Sequence, residues 1–171
     1  MAEIALTPTS YIVLGLLELA GQATPYEMKQ AVTQSIGNFW SVPHSQLYAE
    51  PERLARGGYV TVERERSGRR RKRYTPTDRG RQALRDWLAA STEELPELRD
   101  NALLKIFFGA DPALFAHARL EAHSRKLESY EALRDRAAPG TPTGPLRALE
   151  AGIGHEREWV RYWSELAKDV S

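Results

Sequence analysis

Cysteine is absent from the chain, so neither a disulfide framework nor a cysteine-based zinc site can hold it together. The same absence fits a reducing, cytoplasmic compartment. Long apolar runs are missing too. Residues 12–19 form a short apolar stretch, but it contains Gly15 and Glu18 and follows no basic segment. Neither a targeting peptide nor a membrane span is therefore expected. No phosphate-cradling glycine loop and no nucleophile elbow can be read in it. His44, His117, His123 and His155 are scattered, and neither His117 nor His123 shares a helix face with an evident acid partner. No enzyme, metal or cofactor is expected on these grounds. Net charge is also nearly absent, at +1 over 171 residues, but it is unevenly placed. Residues 1–81 hold 12 Lys and Arg against 8 Asp and Glu, whereas residues 82–171 hold 12 against 15. A basic front and an acidic rear suggest a polyanion-binding module joined to a part with another task.

The stretch that organises the rest runs from Val60 to Thr75, VTVERERSGRRRKRYT. Val60 and Val62 alternate with polar residues, Ser67-Gly68 breaks the run, and Arg69-Arg70-Arg71-Lys72-Arg73 follow. This pattern predicts a β-hairpin with a basic tip and a basic return strand. Five successive cations repel one another and need solvent or a polyanion. A two-stranded ribbon is marginal alone, so it should lean on helices, as the wing of a winged helix does.

Three helices precede the hairpin. Thr7-Pro8 starts the first, which is apolar almost all round to about Ala20 and is expected to be covered on most sides. Thr24-Pro25-Tyr26-Glu27 is a capping box opening the second, with Tyr26, Met28, Val32 and Ile36 on its apolar side. Phe39 and Trp40 follow in a connection, as loop anchors or as ligand contacts; anchoring is the preferred reading. The third helix spans Ser41 to Gly57, with Leu47, Leu54 and Pro51 inward, and Pro51 predicts a kink or a shortened helix. After the hairpin, Thr75-Pro76-Thr77-Asp78 reads as another Thr-Pro start for a helix carrying Leu84, Trp87 and Leu88. Helix, helix, helix, hairpin, helix is the order of a winged helix-turn-helix.

Behind the polar stretch 91–94, Leu95 to Phe107 predicts a short helix closed by Gly109, and Asp111-Pro112 the start of a long one. The loop Pro139 to Pro145 separates it from a last helix carrying Leu146, Leu149, Ile153, Val160, Trp163 and Val170, with Trp159 and Leu166 widening the stripe, where Gly152 and Gly154 permit close packing or a bend. Two long amphipathic helices bury little against each other, so a second copy of the chain is expected to complete a bundle, with that last stripe central. The expected fold is mainly α with a small β-hairpin. Residues 1–90 form a winged helix-turn-helix DNA-binding domain and residues 95–171 a helical dimerisation domain.

On the third helix, His44, Ser45, Gln46 and Glu50 are candidates to face base edges, since Gln pairs with adenine and Ser with several edges. Tyr48 and Arg53 are candidates for phosphate, with Tyr48 alternatively in the core. Arg69, Arg70, Arg71, Lys72 and Arg73 are placed along phosphate or in the minor groove. A two-fold dimer then requires double-stranded DNA with an inverted repeat. At the rear, Tyr130, Trp159, Tyr162 and Trp163 serve equally as an effector pocket or as dimer core. A winged-helix module that binds protein and no operator is the alternative.

Several segments together resemble the PadR-like transcriptional regulator family. They are Leu6-Thr7-Pro8 with Leu14-Gly15-Leu16-Leu17, then Thr24-Pro25-Tyr26-Glu27-Met28, and Ser45-Gln46-Leu47-Tyr48 with Arg53-Leu54 and Gly58-Tyr59-Val60. Tyr74-Thr75-Pro76-Thr77-Asp78-Arg79-Gly80 resembles the family's Tyr-x-Leu-Thr-x-x-Gly, and Leu104-Lys105-Ile106-Phe107-Phe108 more loosely resembles its rear segment. The resemblance implies a dimeric repressor released from its operator by a small molecule, with a phenolic or other aromatic effector as one class. It gives Tyr48 a supporting role at DNA. Two positions depart from the pattern: Pro51 stands inside the helix, and Pro76 replaces a leucine, which moves the expected cap to Thr75.

Overall fold

The structure, a computed structural model, describes residues 4–64 and 71–168, the side chain of Asn38 excepted. Two compact units divide the chain, Met1–Glu94 and Leu95–Ser171. The first contains α1 (Pro8–Ala20), α2 (Pro25–Gln34), α3 (His44–Arg56), β1 (Val60–Arg64), β2 (Lys72–Pro76) and α4 (Asp78–Ala89). The second contains α5 (Asn101–Phe107), α6 (Ala116–Asp135) and α7 (Thr143–Lys168). This is a winged helix-turn-helix followed by a helical unit. No helix among the described residues is long and apolar enough to cross a membrane.

The first core is built on α1, whose Val13, Leu14 and Leu17 are fully buried. Leu47 and Leu54 of α3, Met28 and Val32 of α2, Tyr59, Val60 and Tyr74 of the wing and Leu84 of α4 close around them. Local chemistry sets the helix starts. Thr24 and Glu27 complete the capping box: the Glu27 amide donates to Thr24 Oγ1 at 3.3 Å, and the Thr24 amide to Glu27 Oε2 at 2.7 Å. Gly58 takes φ +74°, a left-handed turn that leads α3 into β1. β1 and β2 pair antiparallel with Val62 opposite Tyr74 and Arg64 opposite Lys72. Ala23 bridges the far side of Tyr74 through two backbone hydrogen bonds, 3.1 and 2.9 Å, so the wing is tied into the α1–α2 connection.

Three expectations for this unit are corrected. Pro51 does not shorten α3, which runs through it for five further residues to Arg56. Its ring is fully buried, and that apolar burial offsets the lost amide bond. Thr75 does not cap α4; it pairs with Thr61 in the hairpin, and Thr77 is the cap. Thr77 Oγ1 accepts from the Gly80 amide at 3.1 Å and donates to the Gly58 carbonyl at 2.8 Å, so it also locks the turn after α3. Phe39 and Trp40 are not anchors, being 67% and 46% exposed. Trp87 lies at the surface of α4 and stacks on Tyr11 of α1 at 4.7 Å.

In the second unit α6 and α7 lie antiparallel, with Phe115 against Trp163, His123 against Glu156 and Tyr130 against Gly152. A Cβ on Gly152 would stand 3.1 Å from the Tyr130 ring, so that glycine permits close approach of the helices; Gly154 faces open space. Residues 95–100 are not helical. Asp100 instead caps α5, accepting from the Ala102 amide at 2.7 Å. A short 3-10 turn, Pro112–Leu114, precedes α6 where a continuous long helix was expected. Ile153 and Trp163 are fully buried within the chain, so those two residues of the last stripe are not available to a second copy. Val170 lies outside the described residues.

Candidate nucleic-acid interface

The first turn of α3 presents His44, Ser45 and Gln46 to solvent, and Tyr48 is 47% exposed one turn on. Gln46 is tied to α1: its Oε1 accepts from Thr9 Oγ1 at 3.0 Å, which favours one setting of the amide. Glu50 is no base-reading candidate, because it is buried under α1. Its Oε1 accepts from Ser10 Oγ at 2.6 Å and from Arg53 Nη2 at 2.7 Å, and its Oε2 from Arg53 Nε at 2.9 Å. Burial pushes the Glu50 carboxyl up, but the hydrogen bonds from Arg53 and Ser10 outweigh it and hold the group below its usual range.

Arg53 is taken up by the same network. Besides Glu50 it donates to Ser10 Oγ at 2.9 Å and to the Ala5 carbonyl at 2.8 Å. The geometry makes it a clamp between α1 and α3, in place of the phosphate contact read from its charge.

The wing cations divide similarly. Arg69 and Arg70 lie outside the described residues. Arg71 is exposed. Lys72 Nζ donates to Glu52 of α3, and Tyr74 Oη donates to the same Glu52 oxygen at 2.7 Å. These two bonds lower the Glu52 carboxyl, while burial and the facing carboxylate raise the Tyr74 phenol well above its usual value. Arg73 stands 3.6 Å from Glu27 of α2. Sequence reading missed Thr9, Ser10 and Glu52. A lone serine or threonine near a helix start carries no signal of a partner on another helix.

In the second unit Trp159, Tyr162 and Trp163 do come together: the two indoles stack at 6.3 Å, and Tyr162 meets Trp163 edge-on at 5.1 Å. Tyr130 lies elsewhere along the same helix pair, against Gly152. An acid partner for His123, not evident in the sequence, exists on the other helix. Its Nδ1 is 2.6 Å from Glu156 Oε2, and its ring stacks on Trp159 at 5.6 Å. No group of three or more His, Asp and Glu side chains among the described residues is arranged to hold a metal.

A protein described as the negative transcriptional regulator PadR of Bacillus subtilis is 37% identical in an alignment of 168 positions that covers 89% of this chain and 91% of that protein. The chain belongs to the PadR-like family of transcriptional regulators. The model of that family matches residues 13–86, and the model described as virulence activator alpha C-term matches residues 98–170. Among solved structures, Bacillus subtilis PadR in complex with operator DNA superposes with a TM-score of 0.83 at 25% identity, covering 95% of this chain and 98% of that one. The same Bacillus protein in complex with p-coumaric acid gives 0.77 at 27%, covering 97% and 98%. As a member of the PadR-like family the chain is a DNA-binding regulator.

Proposed function

We propose that the chain is a cytoplasmic, operator-binding repressor that works as a homodimer and leaves DNA when a small aromatic effector binds. The observation that carries this reading is the exposed turn His44, Ser45, Gln46 and Tyr48, held by α1 from behind and flanked by the wing that bears Arg71. A helix so presented fits a major groove, with Ser45 and Gln46 toward base edges and Tyr48 toward the backbone. Two such helices related by a two-fold axis, roughly 34 Å apart, require an inverted repeat. The second copy is proposed to pack on α5 and the turn after it, where Leu104, Phe107, Phe108 and Leu114 are 55%, 80%, 77% and 81% exposed. Trp159 and Tyr162 are the residues proposed to meet the effector, with the buried Trp163 behind them and His123 at their edge. The relatives' complexes with operator DNA and with p-coumaric acid support both halves of the reading.

A mobility-shift titration tests it, using duplex DNA from upstream of the chain's own coding sequence and p-coumaric acid as the probe effector. Retardation that excess random duplex does not compete, and that the probe reverses, is expected. Equal affinity for random duplex would overturn the operator reading.

A further inference from the structure

We propose that Glu52 is a positioning residue that couples the recognition helix to the wing, so that sequence reading by α3 and backbone contact by the wing act as one body. The inference rests on the DNA-binding reading above. Ser45, Tyr48 and Glu52 are spaced three and four apart, which sets them on one face of α3. An acid on that face opposes the phosphates of any duplex that docks there. Its place is explained by what it holds. One carboxylate oxygen accepts both the Lys72 ammonium and the Tyr74 hydroxyl, the latter at 2.7 Å. Tyr74 is the rigid end of the link: it is 1% exposed, sits in β2 opposite Val62, and is bridged on its other side by Ala23. Glu52 therefore fixes the root of the wing relative to α3. In doing so it spends one of the wing's cations internally, and Lys72 is not a phosphate contact while the link stands.

This assigns opposite signs to two measurements on one variant. Affinities of the full chain for the upstream duplex and for a random duplex of equal length are measured across a salt series, for wild type, Glu52→Ala and Tyr74→Phe. Removing Glu52 deletes a repulsive charge and frees Lys72. Random-duplex affinity should then rise, and the slope of log affinity against log salt should steepen by about 0.9, one added phosphate contact. Affinity for the upstream duplex should fall by about tenfold, the order of one charged hydrogen bond, because wing and helix no longer dock together. Tyr74→Phe keeps the ring and the backbone bridge, and should lower discrimination in the same direction without the steeper slope. If Glu52→Ala tightens both duplexes equally, the carboxylate is only an electrostatic penalty and the proposal is overturned. A Tyr74→Phe protein that discriminates like wild type also overturns it. Failure of the wild-type chain to discriminate at all defeats the DNA-binding reading itself, and the two failures are thereby told apart.

Discussion

Ser10 of α1 donates its hydroxyl to the buried carboxylate of Glu50 on α3 at 2.6 Å, forty residues further along the chain. Arg53 closes the arrangement from the other side. Replacing Arg53 by Met should cost about 2 kcal/mol, because it leaves a desolvated carboxylate without its charged donor. The pH dependence follows from the direction of the Glu50 shift. Its folded value lies below the usual 4.5, so the stability it adds is present above that value and is lost as pH falls through the folded one. In the Arg53 variant only the Ser10 hydroxyl still opposes burial, and the acid-unfolding midpoint should move to higher pH. Urea titrations at several pH values check both.

Two glycines should respond oppositely to alanine. A Cβ on Gly80 would lie 2.1 Å from the Tyr59 carbonyl oxygen, which is backbone and cannot swing aside. Gly80→Ala should therefore destabilise by about 1–3 kcal/mol. Gly154 meets nothing within 4 Å, and alanine there should stabilise α7 by about 1 kcal/mol. Chemical denaturation of the two variants decides the comparison.

Gln46→Ala should lose about 1–3 kcal/mol of discrimination at one position of each half-site. Thr9→Val removes the donor that orients the Gln46 amide and should weaken discrimination at the same position, by less. Affinities for the operator and its single-base variants test this. Specificity retained everywhere by the Gln46 variant would remove that residue from base reading.

Phe107→Glu combined with Phe108→Glu should give the monomer mass by light scattering at micromolar concentration with helix content unchanged. Both side chains are largely exposed in the single chain, so their loss removes an interface without opening a core. A double variant that stays dimeric would place the contact elsewhere.

What the sequence determined by itself is local. Thr24 and Glu27 lie three apart, so a capping box is readable without any tertiary knowledge. Gly58 and the alternation around Val62 announce a turn and a strand for the same reason. The inward Leu47 and Leu54 of α3 follow from helical period alone. The last residues before α4 mark the boundary of this kind of reading: Thr75 is the expected cap, but hairpin register pairs it with Thr61 and Thr77 caps the helix.

Tertiary structure alone decided which charges face outward. Arg53, Lys72 and Glu50 are chemically suited to DNA or solvent; Glu50 and Arg53 lie three apart on one helix, but nothing in the sequence places that pair under α1. Lys72 meets Glu52 twenty residues away, and Arg53 meets Ser10 forty-three away. Ion pairing depends on distance in space, which chain separation does not encode once the chain has folded back on itself. Burial sorted the apolar residues in the same way. Trp163 and Phe107 look alike as helix-borne aromatics, but α6 covers the first and no described part of the chain's second unit covers the second as fully.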